Sequence, residues 1–190
     1  MTEMELIELL TDIQVLRQGH FLLTSGRHSD RFLLSSQLTM HPKATATLIQ
    51  LLAQKVRKLG LQPTVVIGPA MGGVILAYEM ARQLECKAFY AEKEGSGMAL
   101  KRGFTLLPED RILLIEDAIS TGGSLNKVIT ALEAYREQIQ AVAVLFDRTK
   151  GETNFGVIPL VSLLELEIPS WEEQDCPLCK QGIPLVAPKL

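Results

Sequence analysis

Apolar positions along this chain change period as it proceeds. Over residues 3–17, Leu6, Ile7, Leu9, Leu10, Ile13 and Leu16 recur at helical spacing and predict an amphipathic helix. A second helix is predicted over 42–59, opened by Pro42, whose fixed φ and missing N–H suit a first helical position. Between them, short apolar runs on either side of Ser25 and Gly26 predict a hairpin. From Thr64 onward strand and helix alternate. A strand runs to Ile67, a turn spans Gly68 to Gly73, and a helix continues to about Leu84. Strands then follow at Ala88 to Ala91, at Ile112 to Ile115 and at Ala141 to Phe146, with a helix carrying Leu125, Val128, Ile129 and Leu132 before the last. Continuous rather than alternating apolar runs mark strands buried on both faces. The pattern therefore predicts an α/β fold, a mainly parallel sheet with right-handed crossovers and flanking helices.

The strand at Ile112 ends in chemistry. Glu116 and Asp117 follow it, then Ser120, Thr121, Gly122, Gly123 and Ser124 lead into the next helix. Open α/β sheets bind ligands at the carboxyl ends of their strands. The first N–H groups of the helix have no internal partner and suit an anion, and glycines let a phosphate approach the backbone. The hydroxyls offer further donors, and one of them is expected to cap the helix. Two carboxylates beside a phosphate would repel it, but a few ångströms away they can accept from the vicinal hydroxyls of a ribose. Acidic pair and phosphate loop together match a ribose 5-phosphate. A plain strand-to-helix turn is the bland alternative for such a loop on its own.

Two more loops fall at strand ends. Gly68-Pro-Ala-Met-Gly-Gly could turn backbone amides toward an anion such as pyrophosphate, or its glycines could simply allow close packing of helix on strand. Glu92 to Gly103 has glycines and no regular apolar period, so it reads as a mobile lid. Its Lys93, Lys101 and Arg102 could bring positive charge to a departing pyrophosphate; solvated surface cations are the alternative.

Composition narrows the partners. The chain has 190 residues, 47% hydrophobic and 22% charged, enough to bury a sizeable core. A net charge of −3 with interspersed signs and no basic tract gives no nucleic-acid surface, so a small ligand is expected. The acidic start Met-Thr-Glu-Met-Glu lacks the features of a signal peptide, no apolar run is long enough to span a bilayer, and three cysteines suit a reducing compartment; the expectation is a cytoplasmic protein with no membrane partner. Cys176-Pro-Leu-Cys179 has the spacing of half a zinc site, but no second pair follows and the histidines lie in the first quarter of the chain. A tight turn with reduced thiols is the preferred reading, and no protein metal ligand is assigned.

The full order Glu-Asp-x-x-Ser-Thr-Gly-Gly-Ser after a buried strand resembles the phosphoribosyl pyrophosphate (PRPP) motif of type I phosphoribosyltransferases. There is no Walker Gly-Lys-Ser/Thr ending and no G-x-G-x-x-G. Taken with Gly68-Pro-Ala-Met-Gly-Gly, Tyr90-Ala-Glu-Lys-Glu, Asp147-Arg148, Thr24-Ser-Gly-Arg-His-Ser and the Cys-Pro-Leu-Cys-Lys tail, the chain resembles the orotate phosphoribosyltransferases, especially their short bacterial and archaeal forms. The resemblance implies one phosphoribosyltransferase domain over 1–190, with a core at about 42–165 and a small hood from about 1–41 and 166–190. It implies transfer of ribose 5-phosphate from PRPP to orotate, with Mg²⁺ held mainly by PRPP, in a homodimer whose lid reaches the neighbouring site. Glu116 and Asp117 would then hold the ribose hydroxyls, and Ser120, Thr121, Gly122, Gly123 and Ser124 the 5-phosphate. Ala70, Gly72, Gly73, Lys93, Lys101 and Arg102 would meet pyrophosphate, Lys93 as the catalytic lid lysine. His28, Ser120 and Arg148 would meet the base.

A purine-base transferase is the runner-up. Hypoxanthine-guanine relatives typically carry an aspartate where this chain has Ser120 and a lysine where it has Arg148, and both differences favour an anionic pyrimidine. A PRPP-sensing regulator is the non-enzymatic alternative, without the basic face such a protein would carry. The chain departs from the pattern of the longer forms at Gly72, His28, Glu92 and Asp30-Arg31.

Overall fold

The computed structural model describes residues 1–23, 25–149, 151–152 and 155–188. Thr24, which opens the early Thr-Ser-Gly-Arg-His-Ser segment, lies outside the described residues. The chain divides into two compact units, Met1–His41 with Leu166–Leu190, and Pro42–Glu165.

In the first unit, helix α1 (Glu3–Asp12) begins with a capping box, Thr2 accepting from the Glu5 N–H while the Glu5 side chain accepts from the Thr2 N–H. It stops four residues before the expected Leu16. Gln14 takes a left-handed φ of 59°, the Val15 N–H donates to the Leu10 carbonyl, and Leu16 joins a strand. Ile13 and Leu16 fit the helical period as well as the extended one, so the pattern alone overran the end. Strands β1 (Leu16–Leu22) and β2 (His28–Leu33) form the expected antiparallel hairpin, with a register irregularity between Gln18 and Phe21. Phe21, Phe32 and Leu34 are its apolar cluster.

The second unit is the α/β body. Helix α2 (Pro42–Lys58) precedes a six-stranded sheet made of β3 (Val65–Pro69), β4 (Lys87–Glu94), β5 (Gly97–Leu100), β6 (Ile112–Ile119), β7 (Ile139–Asp147) and β8 (Leu160–Glu165). Helix α3 (Gly72–Leu84) follows β3, and helix α4 (Gly123–Ala131) follows β6. The order across the sheet is β5-β4-β3-β6-β7-β8, parallel throughout except for the β4–β5 pair. Strands β3 and β6 are central. Their residues Val65, Val66, Ile67 and Ile112 to Ile115 have no exposed surface, and each such side chain stabilises the fold by about 1.5–3 kcal/mol.

One polar cluster holds the amino ends of three strands in step. Asp110, 4% exposed, accepts from Lys87 Nζ at 2.7 and 2.9 Å, from the Thr64 hydroxyl at 2.7 Å and from the Leu107 N–H at 2.9 Å. Fixing register there aligns the opposite, carboxyl ends. No helix among the described residues is long and apolar enough to cross a membrane.

Close packing of α3 on β3 needs glycine. A β-carbon on Gly68 would sit 2.3 Å from the Gly73 carbonyl oxygen, and one on Gly73 would sit 2.7 Å from Pro69 Cδ. Both obstacles are rigid. Gly68→Ala should therefore cost about 1–3 kcal/mol of stability by overpacking; chemical denaturation with an unchanged midpoint would contradict this close contact.

Candidate active site

The carboxyl ends of β3, β4, β6 and β7 carry the expected residues, all within the second unit. Strand β6 runs four residues past Ile115, so Glu116 and Asp117 are part of it rather than beyond it, with Glu116 in register with Val144 and Ile119 with Asp147. Ladder pairing therefore fixes the backbone of the acidic pair. Glu116 is half-buried. Loss of water and the adjacent Asp117 carboxylate push it up to about 7, against a hydrogen bond from the Ser124 hydroxyl that favours the charged form. Asp117 Oδ1 accepts from the Ala118 N–H at 2.7 Å. Its Oδ2 lies 3.9 Å from where a β-carbon on Gly72 would stand, so the strand's carboxylate faces the glycine loop of β3.

The phosphate loop differs from expectation in one respect. No hydroxyl caps α4: the N-cap is Gly122, left-handed at φ 72°, and no side chain accepts from the first turn. Glycine is required on two counts, since a β-carbon here would also lie 3.1 Å from the Phe155 ring. Ser124, a candidate cap, binds Glu116 instead. Ser120, Thr121, Gly123 and Ser124 are exposed. The result is a nine-residue helix whose first-turn amides keep their donors for an external anion.

Loop 69–72 is tied to β4 by the Ala70 N–H donating to the Ala91 carbonyl at 2.8 Å. The glycines split by role: Gly68 and Gly73 serve packing, while Gly72 is exposed.

The segment expected as a lid has regular structure over most of its length. Residues 87–100 form a β-hairpin, Ala91 paired with Leu100, Lys93 with Met98 and Glu94 with Gly97, turning at Gly95, which is left-handed at φ 56°. Met98 and Leu100 pack against the main apolar cluster, which gives this segment a reason to be ordered. Lys101 Nζ pairs with Glu94 at 3.1 Å, and Arg102 reaches both Glu92 oxygens. Lys93 is exposed on the hairpin and forms no ion pair among the described residues.

At the end of β7, Asp147 accepts from the Thr149 N–H and hydroxyl at 2.8 and 2.6 Å, shaping the turn that carries Arg148. Sequence reasoning gave Asp147 no such role, although an Asp two residues before a Thr is an available turn signal. The Arg148 N–H donates to the Ile119 carbonyl, which ties β7 to the base of the phosphate loop. Burial lowers the Arg148 pKa, and its Nε is buried with no partner among the described residues. A buried donor without an acceptor is costly, and a carboxylate would relieve it.

His28, expected to meet the base, has other neighbours. It is 4% exposed in the first unit, and its Nδ1 lies 3.1 Å from His20 Nε2 and 3.2 Å from Cys179 Sγ. A ring turned into that cluster has no free Nδ1 to offer a substrate. The reading of Cys176 and Cys179 as a bare turn is likewise revised, since two histidines join them.

Comparison with known proteins gives a consistent assignment. The model of the phosphoribosyl transferase domain matches residues 35–155. The orotate phosphoribosyltransferase of Carboxydothermus hydrogenoformans is 43% identical over 97% of this chain and 96% of that protein. That of Caldanaerobacter subterraneus is 41% identical over 99% and 97%. Among solved structures, orotate phosphoribosyltransferase from Aeropyrum pernix superposes with a TM-score of 0.66 at 25% identity, covering 85% of this chain and 93% of that one.

The acidic pair yields a titration prediction. The folded protein holds the Glu116 proton more tightly than the unfolded chain does. Stability linked to it is therefore complete below the ordinary value of 4.5 and lost as pH rises through about 7. Carboxyl NMR should find a midpoint near 7, moved down but not to 4.5 in Asp117→Asn, because burial remains. A wild-type midpoint near 4.5 would contradict the burial argument.

Proposed function

Because the chain belongs to the phosphoribosyltransferase family, and within it to the orotate phosphoribosyltransferases, we propose that it transfers ribose 5-phosphate from PRPP to orotate. The products are orotidine 5′-monophosphate, a step of pyrimidine biosynthesis, and pyrophosphate. The observation that carries the acceptor is Arg148, a half-buried guanidinium whose Nε has no partner among the described residues, suited to the carboxylate of an anionic base. Ser120 beside it in the phosphate loop offers no carboxylate to serve a purine proton.

The chemistry follows from charge. Displacement at C1 of the ribose passes through an oxocarbenium-like state, positive on the sugar and increasingly negative on pyrophosphate. The backbone amides of 121–124 at the α4 N-terminus hold the 5-phosphate. Glu116 and Asp117 accept from the ribose hydroxyls, fixing C1 relative to the base, and their negative charge favours the cationic sugar. Exposed Gly72 leaves room for pyrophosphate to approach the backbone of its loop. As the new N1–C1 bond forms and the C1–O bond to pyrophosphate breaks, the N1 proton of orotate passes to water or to the departing pyrophosphate, while the carboxylate keeps its charge for Arg148. The hard oxygen donors of Glu116 and Asp117 fit Mg²⁺ held on PRPP, which when bound neutralises charge on the leaving pyrophosphate.

Lys93 acts on that pyrophosphate from a neighbouring subunit. A homodimer is supported by an apolar stripe on α3, where Met71, Ile75 and Tyr78 at helical spacing are 84%, 48% and 67% exposed. Three free cysteines accord with a cytoplasmic setting.

Pyrophosphate release with PRPP, Mg²⁺ and a panel of bases tests the assignment: orotate should turn over, and turnover of hypoxanthine or guanine in its place would overturn it. Arg148→Gln should raise the orotate KM by about 10–100-fold while sparing PRPP binding. Lys93→Ala should lower kcat by about 100-fold or more with PRPP affinity little changed. In a mixed dimer, Lys93→Ala in one subunit and Asp117→Asn in the other should restore one working site; failure of that complementation would remove the lysine from the neighbour's site.

A further inference from the structure

We propose that His20, His28, Cys176 and Cys179 form a structural zinc site that fastens the C-terminal segment to the β1–β2 hairpin. The histidine pair and the cysteine pair are far apart in sequence and come together only in the fold. Their donor atoms all lie within 4.8 Å of one another.

The spacing fits a tetrahedral ion. With Zn–N of about 2.0 Å and Zn–S of about 2.3 Å, a tetrahedron has N–N edges of about 3.3 Å, N–S edges of about 3.5 Å and S–S edges of about 3.8 Å. Here His20 Nε2 to His28 Nδ1 is 3.1 Å. Cys176 Sγ and Cys179 Sγ stand 3.4 and 3.7 Å from His20 Nε2, and Cys179 Sγ stands 3.2 Å from His28 Nδ1. As neutral side chains these groups gain one hydrogen bond between the two imidazoles and weak thiol contacts, whereas a common cation would engage all four.

The local structure orients each donor toward that centre. The irregularity between Gln18 and Phe21 breaks the in-out alternation of β1 and leaves both His20 and Phe21 buried. His20 Nδ1 lies 2.8 Å from the Ile183 carbonyl. A carbonyl carries no proton, so Nδ1 donates and the Nε2 lone pair of the neutral ring faces the cluster. A ligating histidine is commonly oriented by such an outer hydrogen bond. Cys176 and Cys179 flank the first turn of the short helix Pro177–Lys180. Backbone pairing holds that segment on the hairpin from both sides: His28 exchanges hydrogen bonds with Trp171, and Val186 bridges His20 and Leu22.

Chemistry selects the ion. Two thiolates and two neutral imidazoles balance a divalent charge, which suits the burial of Cys176, His20 and His28 at 0%, 2% and 4% exposure. Sulfur and imidazole favour zinc over the Mg²⁺ that oxygen donors hold. With every corner filled by protein the site is closed, hence structural rather than catalytic.

The test is metal content of the intact protein purified under a phosphine reductant without added metal. Elemental analysis should find about one zinc per chain, reduced to a small residue in Cys176→Ser and in the Cys176→Ser, Cys179→Ser double variant. Cobalt exchanged into the wild type should give the visible bands and thiolate charge transfer of a tetrahedral two-thiolate site, so the answer does not depend on whether the variants fold. Chelation should lower the wild-type Tm, and zinc but not magnesium should restore it. Zinc below about one-tenth per chain with no cobalt bands, zinc retained in the double variant, or a Cys176–Cys179 disulfide under these conditions would each overturn the proposal.

Discussion

Complete burial of Ile112 to Ile115 in the middle of the sheet is the constraint on which the candidate site depends. A strand hydrogen-bonded on both sides and dry on both faces cannot slip, because a one-residue shift would turn its side chains to the wrong faces. Its last residues inherit that rigidity. Glu116 and Asp117 are held by the ladder to β7, and the turn at Gly122 is then close-packed against Phe155. At the other end of the strands, the Asp110 cluster joins Thr64 and Lys87 to the start of β6, so β3, β4 and β6 share one register. Site geometry here is set by the core, with loops adding the donors.

The same architecture explains the electrostatics. A carboxylate at the end of a buried strand loses water, and a second one beside it adds repulsion; both raise Glu116. Arg148 meets the opposite problem, a guanidinium partly deprived of water and lacking an acceptor at Nε among the described residues. Groups left unsatisfied in this way are expected where a ligand completes the structure. A ribose facing the acids and an anionic base facing the arginine would satisfy both.

Much of this was legible in the sequence, for identifiable reasons. The run Ile112 to Ile115 followed by acids, hydroxyls and glycines is a local signal, and the strand, loop and helix formed where it pointed. The hairpin of β4 and β5 was missed because Glu92 to Gly103 has no clean alternation; its order comes from Met98 and Leu100 packing on the core, a tertiary effect. Leu16 was drawn into α1 because its spacing fits a helix, while the left-handed Gln14 that ends the helix carries no obvious mark. The cap position falls on left-handed Gly122, close-packed on Phe155, which puts Ser124 inside the first turn of α4 rather than before it. His20 and His28 could not be joined to Cys176 and Cys179 by reading along the chain, since only the fold brings them together.

The most direct test of the central claim is a crystal structure with orotate and a non-hydrolysable PRPP analogue bound with Mg²⁺. The account predicts the 5-phosphate on the backbone amides of residues 121–124, the ribose hydroxyls on Glu116 and Asp117, and the orotate carboxylate on the Arg148 guanidinium. A phosphate bound elsewhere, or an orotate ring out of reach of Arg148, would contradict it.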